Sequence, residues 1–323
     1  MINHPYIWKA VNDPILGFTN HISKLIEKYE KSRTILLPYL RDAKDLYVFS
    51  DYGGEHKDSK CDVYSFLICD IASSCGFLDE RLHIRSTVLK NRRMSYKAFN
   101  DKVKLSVTDP FLNASNQING ILFSIVIDKD VDNFFSIEEI DFFKSINPDF
   151  GNWKRKTQEK LLRLIHFCCL LLSGLSTSNQ NIFWFSDEDD ILINTERHYS
   201  ATNIFGLISG LYFKSEMGHF RFGSTKSDSG GFVIEDFCSI PDLASGAICE
   251  LINEYKSSEI KMSSALINEF PEQLPNKSRW IFNWLADARS DVLLKKVCLI
   301  IEKTKENNLD FKFLNYVNRE IIF

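Results

Sequence analysis

Three acidic positions, Asp51, Asp187 and Asp242, lie far apart in the chain, yet each falls at the boundary of an expected regular element. Asp51 follows the β-rich run Leu46-Tyr-Val-Phe-Ser50. Asp187 opens the acidic tetrad Asp187-Glu-Asp-Asp190 directly after Asn181-Ile-Phe-Trp-Phe-Ser186, and Asp242 follows Pro241 where a late helix is expected to open. Strand ends gather along one edge of a sheet, so two of these aspartates can converge there with the helix-borne one facing them. Converging carboxylates suit a hard divalent cation, Mg2+ or Mn2+, which takes oxygen ligands and keeps several waters. Two such ions about 3.5 to 4 Å apart activate a water and stabilise the leaving oxygen of a phosphodiester. The expected metal ligands are Asp51, Asp187 and Asp242, with Glu188 and Glu55 as further catalytic acids.

Each position also has a plainer explanation. Asp51-Tyr-Gly-Gly54 has the composition of a hairpin turn. The tetrad 187–190 reads equally as a solvated loop, and an aspartate in a first helical turn is favoured by the helix dipole without any function. Gly246, one turn beyond Asp242, is expected to let its helix approach the sheet, and Glu235 and Asp236 are reserve ligands. Lys57, Lys60, Arg92 and Arg93 are the expected substrate contacts, with Lys90, Lys154 and Arg155 as further cations. Tyr52 and Trp153 offer rings for stacking.

Three other patterns carry less. Asp128-Lys-Asp130-Val-Asp132-Asn133 with Glu139 has the spacing of a calcium loop, but Asn stands where the sharp turn takes glycine and a strand pattern precedes it. Ser227-Asp-Ser229-Gly-Gly231 resembles the nucleophile segment of trypsin-like proteases, which are all-β, so a flexible polar loop is the better account. The seven histidines show no metal spacing, and there is no glycine-rich phosphate loop.

The elements that must position these groups alternate in type. Asp13-Pro14 starts a helix over 14–31, with Phe18, Ile22, Leu25, Ile26 and Tyr29 at helical spacing. Residues 46–50 and 62–70 read as adjacent antiparallel strands and 120–127 as a third. Between them, 76–112 is mixed, with a short helix near 95–101. Ser136-Ile-Glu-Glu139 is a capping box, 153–175 a long buried helix, and 181–186 a strand whose unbroken apolar run suits cover on both faces. Beyond it the pattern gives a helix over 200–212 and strands at 219–223 and 232–235. A helix from Pro241, helices at 284–288 and 292–305, and a β-like run at 311–314 complete the chain.

The fold class is therefore α/β, a mixed sheet flanked by helices. A core over 45–260, with an insertion near 76–112, carries helical additions at 1–44 and 261–323. With 323 residues, 44% of them hydrophobic, the chain can bury a large core, and a single elaborated domain is favoured. The net charge of -4 excludes nucleic-acid binding through bulk charge, so a polyanion must meet a local patch. Eight cysteines without a C-x-x-C pair read as reduced, buried thiols of a cytoplasmic protein. The apolar segment 161–175 contains Arg163 and His166 and falls short of the ~20 residues a membrane span needs. No secretory leader is visible at the start of the sequence.

Three segments together resemble a known group. Leu46-Tyr-Val-Phe-Ser-Asp51-Tyr-Gly-Gly54, Phe183-Trp-Phe-Ser-Asp187-Glu188 and Ile240-Pro-Asp242-Leu-Ala-Ser-Gly246 are similar in order to motifs of the RNase-H-like group catalogued as domain of unknown function 3800. The resemblance spans residues 45–255 and implies an RNase H fold and a metal-dependent nuclease acting on RNA or DNA. Where that group carries a second acid after the first motif, this chain has Tyr52, and Glu55 is the acid nearby. The imperfect motif also admits a non-hydrolysing interaction subunit of a bacterial defence or mobile-element system, and the same carboxylates suit a small-nucleotide phosphohydrolase. A protein partner or homo-oligomer stays open, and no membrane partner is expected.

Overall fold

The structure, a computed structural model, describes residues 6–99, 101–131, 133–186, 191–214, 216–228, 230–258, 266–267 and 270–316. Its helices are α1 (Gly17–Lys31), α2 (Cys75–Ile84), α3 (Lys102–Ser106), α4 (Thr108–Ser115), α5 (Ile137–Ile146), α6 (Pro148–Gly151), α7 (Arg155–Leu175), α8 (Thr195–Tyr212), α9 (Val233–Ser257) and α10 (Asn276–Leu285). Its strands are β1 (Asp45–Gly53), β2 (Cys61–Cys69), β3 (Gly120–Asp128), β4 (Asn181–Ser186), β5 (Phe220–Ser224), β6 (Leu266–Ile267), β7 (Lys295–Lys303), β8 (Leu309–Phe313) and β9 (Asn315–Tyr316). The chain is α/β, with a seven-stranded mixed sheet flanked by helices. It divides into two compact units, each discontinuous in sequence: residues 1–46 with 132–224, and residues 47–131 with 225–323.

In the first unit the Asp13 side chain accepts the Ile15 N–H and Pro14 opens a 3-10 turn into α1, whose Ile22 and Ile26 are fully buried. Ser136 and Glu139 form the reciprocal capping box of α5. Helix α7 is buried over nearly all its length, including Gln158, Glu159 and Arg163. Strands β4 and β5 pair in parallel with α8 between them, the crossover geometry that a parallel pair requires. Along β4, Ile182, Trp184 and Ser186 are buried while Asn181, Phe183 and Phe185 are half-buried. Successive residues point to opposite faces, and only one face of β4 has full cover.

The second unit is built on an antiparallel meander, β1 to β2 to β3, with β7 parallel to β3 and β8 antiparallel to β7. Directly paired residues share a face, so the register Asp51↔Ser65, Ser65↔Ser124 and Ser124↔Cys298 runs one polar row across four strands. Helix α9 carries its apolar face, including Phe237, Ile240, Leu243, Ala244, Ala247, Ile248 and Leu251, with no exposure. Among the described residues no helix is long and apolar enough to cross a membrane.

Several expectations from the sequence pattern give way here. Residues 232–235 are not a strand and no helix opens at Pro241: α9 starts at Val233 and holds Pro241 in its interior. An interior proline loses one helical hydrogen bond at a cost of ~3 kcal/mol, which burial of the apolar face offsets. The helix expected over 292–305 is strand β7. Val297, Cys298, Leu299, Ile300 and Ile301 are all buried, and a short apolar run does not distinguish a buried helix from a parallel strand covered on both faces. The helix expected at 284–288 is α10, which ends where it was to begin. Near 95–101 only a 3-10 turn, Tyr96–Ala98, precedes the short α3. The segment 261–323 is thus not wholly helical, since β7 and β8 belong to the sheet.

Candidate functional site

Strand β1 runs two residues past Asp51, so Asp51 is a strand residue opposite Ser65 and not part of a hairpin turn. Alternation places Phe49, Asp51 and Gly53 on one face. That face meets α9 at three levels. The Phe49 ring stacks on Phe237 at 5.0 Å and 14°. The Ser245 hydroxyl donates to Asp51 Oδ2. At Gly53 a Cβ would stand 3.0 Å from the Ser245 carbonyl oxygen, so glycine permits the close approach of helix and strand. Deeper along the polar row, the Ser65 and Ser124 hydroxyls meet at 2.8 Å, both fully buried.

One helical turn before Ser245, Asp242 sits in mid-helix, where the dipole of the α9 N-terminus gives it no support. Its Oδ2 accepts the backbone N–H of Tyr96 at 2.7 Å. The Tyr96 ring lies against Gly246, whose added Cβ would come 2.2 Å from it. Gly246 therefore makes room for Tyr96, and the glycine that admits the sheet is Gly53. Ser278 Oγ donates to Glu250 Oε2 at 2.7 Å, so the Tyr96 hydroxyl donates to Ser278 Oγ at 2.6 Å. Lys277 stands 4.0 Å over the Tyr96 ring and 3.2 Å from Glu250. Burial, then the nearby Glu250 carboxylate, pushes the Tyr96 phenol well above its ordinary range.

The loop between β1 and β2 closes the same corner. Gly54 has φ of 91°, and its Cβ would overlap the Cys61 carbonyl, so the Gly-Gly pair answers to backbone crowding. Lys129 Nζ, just beyond β3, donates to the His56 carbonyl at 3.1 Å and to Gly54 O at 2.5 Å, and stands 3.6 Å from Asp62. Asn253 on α9 accepts the Lys60 N–H at 2.7 Å. Glu55, Lys57 and Lys60 are exposed on this loop.

The remaining sequence candidates are placed as follows. Asp187 and Glu188 lie outside the described residues. Arg92 pairs with Asp101 at 2.9 Å, and Arg93 Nε stands 2.8 Å from Glu235. Both guanidiniums already face acids. Asp236, a reserve ligand by sequence, is clamped by arginines: Arg81 Nε reaches Oδ2 at 2.7 Å, and Arg85 bonds both carboxylate oxygens at 2.7 and 2.6 Å. Burial raises the Glu235 carboxyl, with Arg93 and Arg85 opposing the rise. Trp153 is buried, with the Arg197 guanidinium 4.8 Å from its ring centre, which removes it as a stacking platform. Of the calcium-loop pattern, Asp128 ends β3 and pairs with Lys256, while Glu139 serves its capping box and Asp132 lies outside the described residues.

The structure thus brings the Asp51 strand and the Asp242 helix together through Ser245. Among the described residues no group of three His, Cys, Asp or Glu could hold a metal ion. The two described carboxylates are oxygen donors of the right kind for a hard cation, which needs further ligands beyond them. Sequence reasoning missed Ser245, Tyr96, Lys129 and the Arg81–Arg85 clamp. Arg81 and Arg85 share a helical face by their i, i+4 spacing, but nothing local to them or to the others names the partner each one meets. A scan of the sequence against family models finds no match, and a search of the curated proteins finds none either.

Proposed function

We propose that the chain is a divalent-metal-dependent nuclease that hydrolyses phosphodiester bonds, with Asp51 and Asp242 as ligands and Asp187 as the third ligand assigned from sequence. The observation that carries this reading is the position of Asp51: inside β1, facing α9, and joined by Ser245 to the helical turn that bears Asp242. The succession of elements supports it as well. An antiparallel meander β1–β2–β3, the long helix α7, a parallel β4–α8–β5 unit and then α9 follow one another in the order of an RNase-H-like fold, with β7 and β8 as additions beside β3.

Bound Mg2+ or Mn2+ would supply positive charge at the phosphodiester and a water made more acidic. The chain's own residues hold the donors in place. The Ser245 hydroxyl orients the Asp51 carboxylate, and the Tyr96 N–H fixes the Asp242 side chain. Lys57 and Lys60 are exposed for phosphate, whereas Arg92 and Arg93 must leave Asp101 and Glu235 to reach one. One observation favours a second reading. The Asp242 carboxylate already caps Tyr96, as it would in an interaction subunit that keeps the fold without hydrolysis, in a bacterial defence or mobile-element system.

The test is incubation with single-stranded and duplex RNA and DNA in Mg2+ or Mn2+, beside Asp51→Asn and Asp187→Asn. The nuclease reading expects metal-dependent cleavage lost in both variants. Equal cleavage in all three proteins points to a contaminant, and no cleavage in any favours the second reading.

A further inference from the structure

One turn beyond Ser245, α9 carries Cys249, and Cys61 opens β2 on the sheet face that Ser65 and Asp51 share; the Ser59 hydroxyl beside both cysteines donates to the Cys61 carbonyl at 2.8 Å. Cys249 Sγ also lies 3.4 Å from Ser59 Oγ and accepts from Asn253 Nδ2 at 3.5 Å. The orientation of that amide follows from its other end. Asn253 Oδ1 accepts the Lys60 N–H, so the NH2 group must face the sulfur. Charged groups around the pair are Lys129 and Lys256, with Asp62 and Asp128 beside them, and the titratable Tyr96 phenol also faces it.

The two sulfurs are thereby made unequal. The neighbouring Cys61 holds the Cys249 thiol below its ordinary range, against the opposing effect of burial, with help from Ser59, Asn253 and Lys129. Cys61 is pushed up by the neighbouring Cys249 and by burial, and keeps its proton. Burial alone pushes up Cys168. Cys249 is 8% exposed and Cys61 not at all, so a small reagent meets Cys249 first.

We propose that Cys249 is a site of oxidation by hydroperoxides and Cys61 its resolving thiol, so that the pair becomes a disulfide joining α9 to the first residue of β2. The Cys249 thiolate attacks one peroxide oxygen and the O–O bond breaks. The other oxygen leaves, takes a proton as water or alcohol, and Cys249 becomes a sulfenic acid. The Cys61 sulfur then forms the S–S bond, and the sulfenic oxygen departs as water with the Cys61 proton. Two thiols are oxidised by two electrons in all, and one hydroperoxide is reduced by two.

The test treats the full-length protein with hydrogen peroxide, blocks remaining thiols by alkylation, and maps unreduced peptides by mass spectrometry. The exposed Cys75 reports that oxidant and alkylating reagent reached the protein. The expected result is a peptide pair linked through Cys61 and Cys249 that dithiothreitol separates. In Cys61→Ser, a sulfenic acid on Cys249 is trapped by dimedone, and in the untreated unsubstituted protein Cys249 is alkylated faster than Cys61. Oxidised Cys75 beside unmodified Cys249, or Cys249 linked to any other cysteine, overturns the proposal. Both results are read on the unsubstituted chain and need no variant to fold.

Discussion

Helix α9 treats its acids in two different ways. In its first turn Asp236 is fully buried and takes three hydrogen bonds from Arg81 and Arg85, while Arg81 also binds the Gly231 carbonyl. Farther along, the helix meets Asp51 through the Ser245 hydroxyl and holds Asp242 against a backbone N–H, and both acids are only partly buried. A buried carboxylate bound by two guanidiniums is committed to holding the fold. A carboxylate that accepts from a hydroxyl or a backbone N–H at a partly open corner keeps contact with solvent, from which a ligand can arrive. The contrast separates a structural acid from two candidate functional ones, although Asp236 and Asp242 lie on one helix and the sequence offered both as ligands, Asp236 in reserve.

The largest expected effect tests the structural side. Asp236→Ala leaves two buried guanidiniums without their counter-charge and should cost about 3 to 5 kcal/mol of stability in chemical denaturation. Asp51→Asn, which keeps an oxygen to accept from Ser245, should cost within about 1 kcal/mol. A similar loss for both would erase the distinction.

His166 sharpens the rule in the other unit, because it is half-buried among neutral partners. Its Nδ1 lies 2.7 Å from Tyr212 Oη, which lies 2.8 Å from Thr19 Oγ1, and Thr19 donates to the Leu16 carbonyl. Tyr212 must then donate to Thr19 and accept from His166, so the proton sits on Nδ1. Burial lowers the His166 pKa to about 4 from the ordinary 6.5. The unfolded chain binds a proton that the folded one refuses, so stability is full above pH 6.5 and falls as pH drops toward 4, by roughly 3 kcal/mol. His166→Gln should flatten that slope in denaturation series across the window.

Smaller effects probe the open corner itself. Gly246→Ala drives a methyl into the Tyr96 ring and should cost about 1 to 3 kcal/mol. Ser245→Ala removes one hydrogen bond to Asp51 and should cost about 1 kcal/mol. Ser245→Thr keeps the hydroxyl and should restore most of that loss, measured by the same denaturation.

The sequence was readable wherever one period dominated. The Asp13-Pro14 start of α1, the Ser136 capping box, α7, and strands β1 to β5 all follow from local pattern. It misled where two explanations share one pattern: Pro241 marks a helix start in most settings but sits inside α9, and the apolar run of β7 fits a helix as well as a buried strand. For the site, residue type and strand placement singled out Asp51. Ser245, Tyr96 and the arginines around Asp236 act through contacts between segments distant in the chain, which no local spacing encodes. The same is true of Cys61 and Cys249, while the sequence neighbours Cys168 and Cys169 are simply buried.

The most direct measurement is calorimetric titration of Mn2+ into the intact protein and into Asp51→Asn and Asp242→Asn, each of which preserves the acceptor for Ser245 or for Tyr96. Saturable binding that weakens about tenfold or more in each variant is the predicted result. Unchanged binding in both variants, or no binding to the unsubstituted protein, would contradict the assignment of these carboxylates to a cation.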